Sequence, residues 1–145
     1  MERFTLVVAD DDVDLRAALC EVLAATPGFE VVAAVGTGYE AAEVAETTRP
    51  RVALLDVRMP GGGAEAVAAV RRRAPDTAVV AISAHASAWT VASMLKAGAV
   101  GFLAKGWGDL AITDVLRRCA RGEVVVAAPS GAAALAILLD KESML

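Results

Sequence analysis

The feature that most constrains the fold is a set of five short apolar runs, each continuous rather than alternating and rich in β-branched residues. Strands buried on both faces have this composition, because neither face of the sheet is left to water. The pattern is therefore typical of a parallel sheet covered by helices. The runs occupy residues 6–9, 31–35, 52–55, 78–82 and 100–104.

Amphipathic stretches separate the runs and are expected to be helices. The first has Leu15, Leu19 and Leu23 on one face and stops at Pro27-Gly28. The others are expected near residues 39–47, 64–73, 87–97 and 110–121. The helix at 64–73 is expected to lack a capping side chain, because three glycines precede it. The alternation predicts an α/β three-layer (βα)5 sandwich, and right-handed crossovers favour the flavodoxin-like strand order 2-1-3-4-5.

The last part of the chain departs from this repeat. Residues 124–127 are apolar enough for a short extra strand, and residues 132–139 predict an extra C-terminal helix that is apolar nearly all round. Such a helix needs a partner surface. It either folds back on its own domain, joins an output domain absent from this chain, or forms a dimer contact. We therefore predict one domain over residues 1–122 and a linking strand and helix over 123–145.

Polar residues follow the apolar runs at the points where the strands are expected to end. The first run leads into three aspartates, and the next polar residues are Asp56, Ser83 and Lys105 at the ends of runs three, four and five. The carboxyl ends of parallel strands share one edge, where ligands bind. Single Asp or Ser residues in such places often cap helices, but Lys105 does not suit the start of a helix.

This set of side chains suits phosphoryl transfer. Clustered carboxylates repel each other unless a cation neutralises them, and a few hard oxygen ligands suit Mg²⁺. A carboxylate beside Mg²⁺ can attack a phosphoryl group and form an aspartyl phosphate. Lys105 and Ser83 are of the right type to stabilise the charge on the moving oxygens. No Walker-A pattern is present, so the phosphate is expected from a small donor or another protein.

Four segments of the chain resemble the response-regulator receiver domains of two-component signalling, over residues 4 to about 122. These are "VVADDD", "LLDVRMPGG", "ISAH" and "GAVGFLAKG", in the family's order. The later run "ARGEVVVAAP" is most similar to receivers that precede a LuxR/NarL-type helix-turn-helix output domain. The resemblance implies a phosphoprotein that takes part in phosphorelay signal transduction and transcription regulation.

The resemblance also implies a role for each matching residue. Asp56 would be phosphorylated by a partner histidine kinase. Asp11 would bind Mg²⁺ directly, together with Asp56 and the backbone carbonyl of Arg58, and Asp10 would hold the metal through water. Alignment on Arg16, which resembles an arginine of the family's first helix, leaves Asp12 just outside this set.

The remaining implied roles concern the switch. Lys105 would pair with the phosphate, and Ser83 would move to hydrogen-bond a phosphoryl oxygen. Phe102 would swing inward behind it, which is a two-state change biased by a local charge event. Such a protein catalyses only its own phosphorylation and dephosphorylation, so it is not expected to be an enzyme that turns over a metabolite.

Charge and hydropathy limit the partners. The net charge is −4 and the longest basic run is Arg71-Arg72-Arg73, so we expect no nucleic acid binding by this chain itself, and DNA binding only through a missing output domain. No signal peptide or membrane span is apparent, so we expect a cytoplasmic protein without membrane contact. A histidine kinase is the expected partner, and a homodimer is possible.

Two other readings remain open at this point. One is a phosphohydrolase of the haloacid-dehalogenase type, with Asp10 as nucleophile and Asp12 as acid; this leaves Asp56 with a different role. The other is a pseudo-receiver that binds partners without being phosphorylated.

Overall fold

The computed structural model describes residues 2–106 and 112–143. Its centre is one parallel sheet of six strands in the order β2-β1-β3-β4-β5-β6. The predicted order 2-1-3-4-5 is therefore confirmed, with a sixth strand added beside the fifth. The strands are β1 (Phe4–Ala9), β2 (Phe29–Val35), β3 (Val52–Asp56), β4 (Ala78–Ser83), β5 (Gly101–Ala104) and β6 (Val125–Ala127).

Helices cover both faces of this sheet. They are α1 (Val13–Ala24), α2 (Gly38–Thr48), α3 (Ala64–Arg73), α4 (Ala88–Ala97), α5 (Ile112–Ala120) and α6 (Gly131–Ser143). Residues of α2, α3, α4 and α6 form one apolar core with one face of the sheet, and residues of α1 and α5 form a second core with the other face. The expected start of the fifth helix at Leu110 lies outside the described residues.

Local side-chain chemistry sets where the helices begin. Asp12, Thr37 and Ser87 each accept a hydrogen bond from a backbone N–H in the first turn of the helix that follows, which satisfies a donor that the helix itself leaves unpaired. Helix α3 follows Gly63, which makes no side-chain cap, as predicted. Gly63 has a φ of +70°, a conformation that favours glycine.

The C-terminal part completes the fold. Strand β6 pairs in parallel with β5, with Phe102 beside Val126. Helix α6 lies against α4, and Ala134 on its inner side is fully buried in the core that α4 helps to form. Three partners were considered for the apolar C-terminal helix, and in this structure α6 packs against its own domain. The boundary at residue 122 and any contact with an output domain remain predictions.

No helix among the described residues is both long enough and apolar enough to cross a membrane.

Candidate functional site

Four polar residues lie at one edge of the sheet because the strands that carry them are parallel. Asp10 directly follows β1, Asp56 is the last residue of β3, Ser83 is the last of β4, and Lys105 directly follows β5. The register places Asp56 beside Ile82 and Ser83 beside Ala104, so these strands end at similar heights. The structure brings Asp10, Asp56 and Lys105 into direct contact and places Ser83 at the same edge of the sheet.

Three carboxylates form the acidic part of the site. One oxygen from each of Asp10, Asp11 and Asp56 lies within 4.8 Å of the others. Asp10 and Asp56 are buried, with 1% and 5% of their surfaces exposed, whereas Asp11 is exposed. Three hard oxygen donors, of which one is open to water, fit Mg²⁺, because this ion keeps several waters when it binds to proteins. The donor set therefore fits a magnesium ion better than a soft metal.

Lys105 pairs with two of these carboxylates. Its Nζ donates to Asp56 Oδ1 at 2.9 Å and lies 3.4 Å from Asp10 Oδ2. The Lys105 side chain is 23% exposed, so the pair with Asp56 is less screened by water than a surface ion pair. The ammonium is therefore held beside the carboxylate that ends β3, where it can also meet an anion attached to that carboxylate.

The electrostatics of the site follow from burial and from neighbouring charges. Burial raises the pKa of Asp56; the hydrogen bond from Lys105 opposes this, and the charge of Asp10 adds to it. For Lys105, burial alone would lower the pKa, but the hydrogen bond and charge of Asp56, with the charge of Asp10, outweigh it and raise the pKa. Burial thus destabilises the charged form of Asp56, and the ammonium of Lys105 offsets part of this destabilisation.

The turn between β1 and α1 is fixed by hydrogen bonds. The Asp12 amide donates to Asp10 Oδ1 at 3.0 Å, and Asp12 Oδ1 accepts from the Leu15 amide at 3.1 Å as the cap of α1. Arg16 Nη1 donates to the Asp10 carbonyl oxygen at 2.8 Å. Asp12 thus lies outside the acidic cluster and caps a helix instead. Sequence reasoning did not find the contact of Arg16, which depends on how α1 folds back over the turn.

Ser83 and Phe102 lie behind the site. Ser83 is buried, and its Oγ accepts a hydrogen bond from the His85 amide at 3.0 Å. Its carbonyl accepts from the Lys105 amide at 2.8 Å, which ties the ends of β4 and β5 together. Phe102 is fully buried, so its ring already occupies an inward position. The movement of both side chains upon phosphorylation stays a prediction.

The loop after β3 carries the other predicted ligand, the Arg58 carbonyl. The Arg58 residue itself is exposed. The loop is held by α2, because the Gly38 amide donates to the Pro60 carbonyl at 2.8 Å. A Cβ atom at Gly38 would overlap the carbonyl of Gly61. Sequence reasoning also missed this contact, which joins residues more than 20 positions apart. The role of the Arg58 carbonyl as a ligand stays a prediction.

Comparisons with known proteins agree with this geometry. Residues 6–117 match the family model described as "Response regulator receiver domain". The chain is 39% identical over 127 residues to the "Probable transcriptional regulatory protein NarL" of Mycobacterium tuberculosis, covering 87% of this chain and 59% of that protein. The solved signal receiver domain of the response regulator NarL from Mycobacterium tuberculosis has a TM-score of 0.79 and 37% identity, covering 85% of this chain and 100% of that one.

A second solved structure shows that the shared fold includes most of the chain. The two-component response regulator of the LuxR family from Aurantimonas sp. has a TM-score of 0.85, with 22% identity, and covers 93% of this chain and 96% of that one. This likeness concerns the fold alone. The chain spans only about half to three-fifths of the length of the curated relatives that it matches. The matched region covers 59%, 55% and 51% of the length of three of them.

Proposed function

Because this chain belongs to the response-regulator receiver-domain family, we propose that Asp56 accepts a phosphoryl group from a histidine kinase and thereby switches the domain. The observation that carries the proposal is the surroundings of Asp56. This carboxylate is buried at a strand end, has Lys105 Nζ at 2.9 Å, and lies within 4.8 Å of oxygens of Asp10 and Asp11.

The transfer is a displacement at phosphorus. An oxygen of Asp56 attacks the phosphorus of a phosphohistidine, a P–O bond forms and the P–N bond breaks. The imidazole leaves with the bonding electrons and is neutral because its ring already carries a proton. Burial makes Asp56 poorly hydrated, which removes water that would otherwise have to be displaced. Lys105 then exchanges part of its interaction with the carboxylate for one with a phosphoryl oxygen.

The acidic cluster would hold Mg²⁺ through Asp11 and Asp56 directly, through Asp10 by way of water, and through the Arg58 carbonyl. When bound, the ion supplies positive charge to the transferring phosphoryl oxygens. The residues of the chain contribute the rest: Asp12 and Arg16 hold the turn that presents Asp10, through the 3.0 Å and 2.8 Å hydrogen bonds. Ser83 would turn its hydroxyl towards a phosphoryl oxygen.

The output of this switch is proposed from the relatives. The NarL relative is named as a probable transcriptional regulatory protein. We therefore propose that phosphorylation of this domain controls transcription in a two-component system, with a histidine kinase as the partner and a homodimer as a possible state. The location is proposed to be cytoplasmic. Any contact with DNA would be made by an output domain rather than by residues of this chain, whose net charge is −4.

The two other readings are less well supported by the site. A hydrolase with Asp10 as nucleophile and Asp12 as acid needs both carboxylates free to meet substrate. Asp10 is instead bonded to the Asp12 amide and Lys105, and Asp12 caps α1. A pseudo-receiver would not need a buried aspartate with a lysine and two further carboxylates around it.

The test is phosphorylation by acetyl phosphate, followed by intact mass. Wild type with Mg²⁺ is expected to gain one phosphoryl group, and Asp56→Asn is expected to gain none. Asp76→Asn, at an exposed position away from the site, is the matched control and should behave as wild type. If Asp10→Asn alone abolished the label while Asp56→Asn kept it, the hydrolase reading would be preferred. If wild type took no label with Mg²⁺ present, the pseudo-receiver reading would replace the proposal.

A further inference from the structure

The segment between β4 and α4, residues 84–87, is called here the switch loop, because it directly follows Ser83. Two of its residues make hydrogen bonds that reach in opposite directions. The His85 amide donates to Ser83 Oγ at 3.0 Å, which links the loop to the phosphoryl site. The Ala86 carbonyl accepts from Ser130 Oγ, which links the same loop to the turn before α6. The loop is therefore shared between the site and the C-terminal part of the chain.

Helix α6 is held in place by packing as well as by this hydrogen bond. Ala134 is fully buried, and Ile137 and Leu138 pack against the core that contains Val91 and Met94 of α4. The outer side of α6 is exposed, with Leu135 at 56% and Leu139 at 62%. The helix thus covers an apolar side of α4, and Ser130 connects the turn before α6 to the loop before α4.

We propose that Ser130 is a positioning residue. Its hydrogen bond to the Ala86 carbonyl holds the switch loop in the position in which the His85 amide donates to the Ser83 hydroxyl. Helix α6, in its docked position, thereby opposes phosphorylation of Asp56. This inference rests on the proposed function of Asp56. Upon phosphorylation the Ser83 hydroxyl donates to a phosphoryl oxygen, and the His85 amide that it holds moves with it. The Ala86 carbonyl is displaced from Ser130, because a hydrogen bond tolerates little change in length or angle.

The coupling has to act in both directions. If phosphorylation weakens the attachment of α6, then weakening that attachment favours phosphorylation by the same factor. One hydrogen bond between uncharged groups is worth about 1 kcal/mol net, which corresponds to about a fivefold change in an equilibrium constant. Removal of the Ser130 hydroxyl is therefore expected to strengthen binding of a phosphoryl mimic by about fivefold. Ser130 lies outside the phosphoryl site, so a direct effect on the bound group is not expected.

The test uses beryllofluoride with Mg²⁺ as the mimic, on the whole chain. Its affinity is measured by titration, and amide hydrogen exchange is followed over residues 130–140. Ser130→Ala is expected to bind the mimic about fivefold more tightly and to exchange faster in α6 without it. Ser130→Thr keeps a hydroxyl and should restore both values towards wild type. Ser93→Ala, at an exposed serine of α4, is the matched control and should change neither.

The outcomes separate the two proposals. In wild type, beryllofluoride should speed exchange in α6, and Asp56→Asn should abolish this effect. If wild type binds the mimic through Asp56 but Ser130→Ala has unchanged affinity and unchanged exchange in α6, the role of Ser130 is wrong while the function of Asp56 stands. If wild type does not bind the mimic with Mg²⁺, the function of Asp56 is wrong and this inference falls with it.

Discussion

The buried position of Asp56 destabilises its charged form and thereby lowers the stability of the folded chain. Its pKa is raised because the carboxylate is buried, with the charge of Asp10 adding to the effect after the hydrogen bond of Lys105 has opposed it. The folded chain therefore binds a proton at Asp56 more strongly than the unfolded chain. It follows that the free energy of unfolding falls as pH rises from the ordinary value of 3.8 through the raised pKa.

Asp56→Asn is accordingly expected to stabilise the chain at pH 7. The amide keeps the shape of the side chain, its Oδ1 can still accept from Lys105, and the buried charge is removed, so a gain of about 1 kcal/mol is expected. Urea unfolding from pH 7 down to pH 4 should show the gain shrinking as pH falls, because the wild-type carboxyl then takes up its proton. Asp76→Asn should show no such trend. A gain that stayed constant or grew in acid would contradict the assigned electrostatics.

Asp11 and Asp12 are neighbours with different expected roles, which a matched pair of substitutions separates. Asp12→Ala removes the cap of α1 and should cost about 1 kcal/mol of stability, while leaving the response to Mg²⁺ in place. Asp11→Ala should cost little without metal and should remove the stabilisation by Mg²⁺. That stabilisation is about 1.4 kcal/mol at a concentration ten times the Kd. Thermal unfolding with and without MgCl₂ measures both. Equal loss of the Mg²⁺ response in the two variants would contradict the assignment.

At the scale of single residues, the sequence was sufficient where position along a strand decides placement. Asp10, Asp56, Ser83 and Lys105 were predicted to meet, because each follows or ends an apolar run. The contacts of Arg16, Gly38 and Ser130 were not predicted. Each joins segments that come together only through packing of a helix or loop, and no periodicity in the sequence reports that packing.

At the scale of elements, the contact between α2 and the loop after β3 sets the shape of one side of the site. Gly38→Ala should destabilise the chain, because its Cβ would overlap backbone of Gly61 rather than a flexible side chain. A loss of about 2 kcal/mol or more is expected, since overpacking against backbone is not easily relaxed. The variant should also respond less to Mg²⁺, because the displaced loop carries Arg58. Urea unfolding and a Mg²⁺ titration test this, with Ala68→Gly in α3 as a control for helix propensity alone.

The elements themselves were largely predictable. Continuous apolar runs marked the strands, although β1 and β2 each begin two residues earlier than expected, at Phe4 and Phe29. Those residues pack on each other, with ring centroids 5.2 Å apart, and Arg51 lies over Phe4. A single aromatic residue beside a polar neighbour does not extend an apolar run in the sequence. The true starts of β1 and β2 therefore become visible only from the pairing of Phe4 with Phe29 across the two strands.

At the scale of the whole molecule, strand β6 pairs within the sheet and helix α6 contributes Ala134 to the core. Three of their residues are buried: the exposed fractions of Val125, Ala127 and Ala134 are 8%, 4% and 0%. A chain ending at Gly122 is therefore expected to lose stability, because it exposes the edge of β5 and the side of α4 that α6 covers.

Thermal unfolding of this shortened chain should show a lower midpoint than wild type by several degrees. Leu139→Ala, on the exposed side of α6, is the control and should leave the midpoint nearly unchanged. An unaltered midpoint in the shortened chain would contradict the view that β6 and α6 are integral to the domain. The sequence alone left three partners open for α6, because an apolar helix specifies that it needs a surface but not which one.

The central claim is that one particular carboxylate carries the phosphoryl group, and the most direct measurement is to map it. The chain is incubated with acetyl phosphate and Mg²⁺, the acyl phosphate is reduced with borohydride, which converts the modified aspartate to homoserine, and the peptides are sequenced by mass spectrometry. We predict homoserine at position 56 alone, and none when Mg²⁺ is chelated. Homoserine at position 10 or 11, or modification that persists without Mg²⁺, would contradict the account.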